Sequence, residues 1–160
     1  MQNTPCVIAF GANLGDRQAT FAKAAALLAA QVGSIQRTSS LIETAALVLP
    51  GEDPLAHPPY LNAAWLISTS LRPRETLQQL LLIEKELGRI REKRWAPRTI
   101  DLDLIAHDQA IVSSVELTLP HPEMHKRSFV LGPMMEIYPE WRHPVLGRSV
   151  AELLSSLRIS

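Results

Sequence analysis

YLNAAWLISTSLRPRETLQQLLLIEKELG, from Tyr60 to Gly88, contains a strand and a helix, and the fold is read outward from them. Tyr60 to Ser68 has strand character, with Tyr60, Asn62 and Ala64 on one face and Leu61, Ala63 and Trp65 on the other. Pro73 opens a helix at its first turn and Gly88 ends it. Leu77, Leu80, Leu81 and Leu87 form that helix's apolar stripe, and Glu84 falls on it. Downstream, Ile100 to Ala106 alternates as a strand, followed by a hairpin whose turn includes Asp108 and Gln109. Pro120 and Pro122 interrupt the chain before a helix around Arg127 to Ile137, and a short helix around Val150 to Leu157 closes it.

Upstream, Val7 to Phe10 reads as a buried strand and Gly11 to Gly15 as a turn, and Asp16 caps an alanine-rich helix running to about Gln31. Ile35 to Thr44 reads as one further strand. Five Pro and Gly residues between Ala45 and Pro59 leave a long loop of the kind that is functional or disordered. The order strand, helix, strand, strand, helix, strand predicts an α+β, ferredoxin-like domain over residues 1–160, an antiparallel sheet with its helices on one face.

The whole-chain numbers suit such a domain. Apolar residues make up 46% and charged ones 20%, the proportions of a globular protein. Sixteen basic and sixteen acidic side chains cancel, so a broad nucleic-acid or membrane-surface footprint is not favoured. Cys6 is the single cysteine and sits in the apolar run Cys6 to Phe10, where a buried thiol is expected. That thiol, with neither a leader nor an apolar run of bilayer length in view, predicts a cytoplasmic protein.

In TIDLDL, from Thr99 to Leu104, the carboxylates of Asp101 and Asp103 share one strand face while Ile100, Leu102 and Leu104 point to the core. Two like charges repel there, so an arginine or a metal should compensate. Two carboxylates completed by water and phosphate oxygens fit magnesium rather than zinc; arginines along a solvated strand are the alternative. Lys85, Arg89, Arg91, Lys93, Arg94 and Arg98 precede the pair, as a triphosphate site or as a solvated helix end. Glu84 needs a partner on its apolar stripe, either an arginine or a ligand. Gly11 to Gly15, between a strand and a helix, could cradle a phosphate, but it matches neither the P-loop nor the dinucleotide fingerprint, and an ordinary turn is the default. His121 and His125 are four apart without the spacing context of a zinc site.

GANLGD at Gly11–Asp16, YLNAA at Tyr60–Ala64, RWAPRTIDLDL at Arg94–Leu104 and LPHPEMHKRSFVL at Leu119–Leu131 together resemble the 6-hydroxymethyl-7,8-dihydropterin pyrophosphokinase family, in order and over nearly the whole chain. The resemblance implies a monomeric enzyme of folate biosynthesis that moves the pyrophosphoryl group of MgATP to the hydroxymethyl oxygen of the pterin and releases AMP. It implies that Asp101 and Asp103 hold two magnesium ions. Arg89, Arg91, Arg98, His121 and Arg127 would hold or neutralise phosphates, and Glu84, Leu104 and Thr118 would lie with the nucleotide. Asn62 would read the pterin edge and Tyr60 and Phe129 would line its pocket, with Thr44, Leu47 and Trp95 supplied by two mobile loops. Ala12, Ala45, Ala46 and Pro122 stand where the family usually has a serine, two prolines and an aromatic. A non-catalytic module binding nucleotide or pterin, and a magnesium kinase releasing ADP, are the rival readings.

Overall fold

Thr4–Ala12 forms β1, the centre of the sheet in the computed structural model, which describes residues 3–13, 16–44, 51, 59–88 and 100–159. On one side β1 pairs antiparallel with β4 (Tyr60–Thr69), and on the other with β5 (Ile100–His107). β2 (Gly33–Thr38) and β3 (Ile42–Thr44) both pair antiparallel with β4, giving the order β2-β4-β1-β5 with β5 at an edge. This is the antiparallel ferredoxin-like arrangement expected from the element order.

The helices take both faces of the sheet, not one. α1 (Arg17–Gln31) and α2 (Pro73–Leu87) cover a core of Phe10, Leu28, Trp65, Leu80 and Ile83. α3 (Ser128–Ile137) and α4 (Val150–Ile159) cover the other face over Val7, Leu66, Ile105, Leu131 and Met134. Burial on both faces explains why Leu61 through Ile67 are all buried, and why this strand is a near-continuous apolar run. Phe21 stacks on Trp65 with centroids 4.7 Å apart, and Phe10 meets both rings edge-on. That geometry suits the aromatic quadrupole.

The helix boundaries follow local chemistry. Asp16 accepts the Ala19 N–H and caps α1. Pro73 is the first residue of α2, and the Gly88 N–H closes it on the carbonyls of Glu84 and Glu86. The stripe α2 buries is Thr76, Leu80, Ile83 and Leu87. Leu77 and Glu84 are half-buried on its flank and Leu81 is exposed, a rotation of about one residue from the expected face.

Three further expectations change. The strand expected over Ile35–Thr44 is two strands, because a register shift at Ile35–Arg37 and a break at Ser39–Leu41 interrupt the ladder. Ser39 still exchanges bonds with β4: its N–H donates to the Ala64 carbonyl and its Oγ accepts the Ala64 N–H. The chain does turn at Asp108, where φ is 50°, but no hairpin forms on β5. β6 (Val112–Ser113) pairs instead with β7 (Thr118–Leu119), and the His121 N–H then returns to the Ile105 carbonyl. Gly11 and Ala12 belong to β1 rather than to a turn. The loop reading for residues 45–58 and for Arg89 to Pro97 falls outside the described residues, Gly51 excepted.

Candidate active site

The sheet register lays out the site. Asn62, Gly11 and Asp101 stand opposite one another across β4, β1 and β5, and Ala64, Ala9 and Asp103 form the next row. At the usual strand spacing, Asn62 and Asp101 sit about 10 Å apart. The residues between them are small: Gly11 has no side chain, and a Cβ there would stand 3.4 Å from Asn62 Oδ1. The result is a pocket of about 450 Å³ with the two aspartates at one end and Asn62, Thr44 and Tyr60 at the other. Phe129 and Arg127, from the start of α3, complete its wall. This size is ordinary for a small-molecule site.

Asn62 is buried, and its Nδ2 donates to Thr44 Oγ1 at 2.7 Å. The Arg127 guanidinium lies 5.8 Å from the centre of the Phe129 ring, a cation–π contact that steadies both.

A second cleft, about 270 Å³, opens on the other side of Asp103 and is lined by Glu84, Leu104, Thr118 and His121, with Leu77 and Leu81 at its apolar side. Asp103 therefore lines both spaces. Among the described residues the partner of Glu84 is a backbone amide: its Oε2 accepts the Leu102 N–H at 2.6 Å. That N–H belongs to the residue between the two aspartates, on the edge strand. Burial raises the Glu84 carboxyl against the lowering pull of the Leu102 N–H, the charges of Asp101 and Asp103 add to the rise, and the result is about 7.

His121 accepts the Glu123 N–H at Nδ1, at 3.1 Å, so a neutral ring carries its proton on Nε2. Burial lowers its pKa, with Asp103 opposing and Arg127 reinforcing the shift. A neutral Nε2–H donor is suited to an anionic ligand.

Among the described residues, no group of three or more His, Cys, Asp or Glu side chains is placed to hold a metal. Asp101 and Asp103 alone offer hard oxygen donors from one strand face, which fits a cation that completes its shell with water and phosphate oxygens.

The residues singled out in the sequence thus fall into two groups. Thr44, Tyr60, Asn62, Phe129 and Arg127 meet the aspartates in the first pocket, whereas Glu84, Leu104, Thr118 and His121 meet Asp103 in the second. Arg127, expected among phosphate ligands, lines the first pocket rather than the cleft with His121. Leu47, Arg89, Arg91, Trp95 and Arg98 lie outside the described residues. Ala9 and Gly11 escaped the sequence reading because their contribution is missing bulk, which only the cross-strand register reveals.

The family model of 7,8-dihydro-6-hydroxymethylpterin-pyrophosphokinase (HPPK) matches residues 7–139. The chain belongs to this family. A Synechocystis HPPK relative, named 2-amino-4-hydroxy-6-hydroxymethyldihydropteridine pyrophosphokinase, is 38% identical over 152 residues, covering 94% of this chain and 75% of the relative. A Bacillus subtilis relative of the same name is 40% identical over 139 residues, covering 84% and 78% respectively. Among solved structures, wild-type Plasmodium falciparum HPPK-DHPS superposes with a TM-score of 0.73 at 14% identity, over 97% of this chain. The match takes in 45% of that chain, so it speaks for the HPPK fold alone.

Proposed function

We propose that the chain transfers the pyrophosphoryl group of MgATP to the hydroxymethyl oxygen of 6-hydroxymethyl-7,8-dihydropterin, giving AMP and the pterin diphosphate in folate biosynthesis. The observation that carries this reading is Asp103 in the wall common to both spaces, with Asp101 beside it. An acceptor in the first pocket and a triphosphate in the second would meet only there.

In the first pocket, Asn62 presents its Oδ1 to a heterocycle edge while Thr44 holds its amide. Tyr60 and Phe129 supply ring contacts. The span of about 10 Å between Asn62 and Asp101 suits a bicyclic ring whose alcohol faces the aspartates. In the second, Leu77, Leu81 and Leu104 give an apolar seat for a base, and His121 Nε2–H is available to a phosphate oxygen. Asp101 and Asp103 would hold magnesium, two ions in our reading, and the metal would neutralise the triphosphate and align it for in-line attack at the β-phosphorus. Arg127, at the mouth of α3, would balance charge on the acceptor side. Positioning and electrostatics account for the rate in this scheme. Arg89, Arg91 and Arg98 would add phosphate contacts, and Leu47 and Trp95 would close on the pterin and exclude water.

We read the chain as one domain acting as a monomer in the cytoplasm, a compartment in keeping with its buried unpaired thiol. The test of the activity is to mix purified protein with MgATP and 6-hydroxymethyl-7,8-dihydropterin and identify the nucleotide product. AMP rising in step with pterin diphosphate is the expected result. ADP would make the protein an ordinary kinase, and tight binding of both ligands without product would make it a binding module.

A further inference from the structure

Arg17 occupies the first helical position of α1, immediately after the cap Asp16. A cation is disfavoured there, because the amino end of a helix carries the positive end of the backbone dipole. Something outside the helix must compensate, and the guanidinium shows what it is. Nη1 donates to the Pro59 carbonyl at 2.8 Å, and Nη2 donates to Glu43 Oε1 at 3.0 Å. The side chain is 25% exposed.

These two acceptors come from segments separated by residues 44–58, and each directly precedes a residue of the first pocket. Glu43 precedes Thr44 and Pro59 precedes Tyr60, and Thr44 and Tyr60 are partners in the β3–β4 ladder. That ladder is weak on its own: β3 has three residues, Ile42–Thr44, none of them fully buried. Bringing the ends of so long a connection together costs loop-closure entropy. A planar fork that binds both ends at once lowers that cost in a way a point charge does not.

We infer that Arg17 is a positioning residue for the acceptor pocket: it clamps Glu43 and Pro59 so that Thr44 and Tyr60 stay in register beside Asn62. The chain of contacts is short. Arg17 holds the Thr44–Tyr60 pair, and Thr44 Oγ1 accepts from Asn62 Nδ2 in the wall of the pocket. This inference rests on reading the first pocket as the pterin site.

Steady-state kinetics of Arg17→Ala, Arg17→Lys and Asn62→Ala test it together. Because an exposed ion pair contributes little and a charged hydrogen bond more, Arg17→Ala should raise KM for the pterin about tenfold. Its kcat and KM for MgATP should stay within about twofold of wild type. Lysine can serve only one acceptor at a time, so Arg17→Lys should fall between the two. Combining Arg17→Ala with Glu43→Gln should cost less than the sum of the single changes. An unchanged pterin KM in Arg17→Ala, or equal losses in kcat and both KM values, overturns the clamp, the second outcome marking a purely structural residue. Wild-type behaviour of Arg17→Lys removes the need for two acceptors and overturns it as well. Asn62→Ala reports separately on the pocket: an unchanged pterin KM there sinks the pocket assignment and the clamp with it, whereas a raised value beside a silent Arg17→Ala sinks the clamp alone.

Discussion

Asp101 and Asp103 differ in what surrounds them, although they share a strand face. Asp103 is half-buried between two cavities, whereas Asp101 is exposed and lines only the first. Asp103→Asn should therefore weaken both substrates and Asp101→Asn chiefly the acceptor side. In steady-state assays at saturating magnesium, each should lower kcat/KM by roughly a thousandfold or more, since each removes a hard ligand from the proposed metal. Glu84 makes a different prediction. Its carboxyl is raised above the unfolded value to about 7, so the ligand-free native state binds the more protons and its stability declines as pH climbs from about 4.5 through 7. Glutamine keeps an acceptor for Leu102 N–H without the charge. Denaturant midpoints of Glu84→Gln should thus match wild type near pH 4.5 and exceed it above pH 7. The difference should be about 1–2 kcal/mol after allowing for partial solvation, and equal midpoints at both pH values would refute the assignment. Cys6 gives a cleaner test: burial pushes its thiol up to about 12, so iodoacetamide at pH 8 should leave the native chain unlabelled and modify it only in denaturant.

At the level of elements, β2 enters the sheet through a position that tolerates nothing larger than glycine. A Cβ on Gly33 would lie 2.2 Å from the Ser68 carbonyl oxygen, and because that oxygen is backbone, β2 would have to separate from β4. Gly33→Ala should cost about 3 kcal/mol or more, seen as a lowered thermal midpoint, whereas the same change at Gly132, with open space around it, should not. Contacts of this kind are what a single sequence hides. Pro73 and Gly88 announced both ends of α2, and Asp16 the start of α1, because caps and proline act locally. The two-strand character of 33–44 depended on Ser39, Ser40 and Arg37 finding partners on Ala64, Glu136 and Ile137, which lie far off in the chain. The helices around Arg127–Ile137 and Val150–Leu157 were read, but not that they form a second layer, because an apolar run such as Leu61–Ile67 can mean a strand covered on two faces or on one. For the site, the aspartate pair and Asn62 were readable from strand alternation and the motifs around them. Gly11, Ala9 and Arg17 were not, since an open floor and a clamp between distant segments exist only after the strands are in register.

Across the whole molecule, the two cavities meet at one carboxylate, so their ligands should not bind independently. The carboxylates of Asp101 and Asp103 gather negative charge along the shared wall. Magnesium brought with the nucleotide would neutralise that wall and give the acceptor's hydroxyl an ordered partner. Pterin affinity measured by calorimetry with a non-hydrolysable ATP analogue and magnesium should then exceed that of the free protein by about tenfold, a coupling of about 1.4 kcal/mol. Linkage requires the analogue to bind tighter by the same factor when the pterin is already present. Asp103→Asn should bring the factor close to one, because the residue belongs to both sites, whereas Asn62→Ala, confined to the far end of the first pocket, should weaken the pterin with or without the analogue and leave much of the factor intact. A coupling that survives Asp103→Asn would mean that the sites communicate through the residues between β4 and α3 rather than through the shared wall of β5.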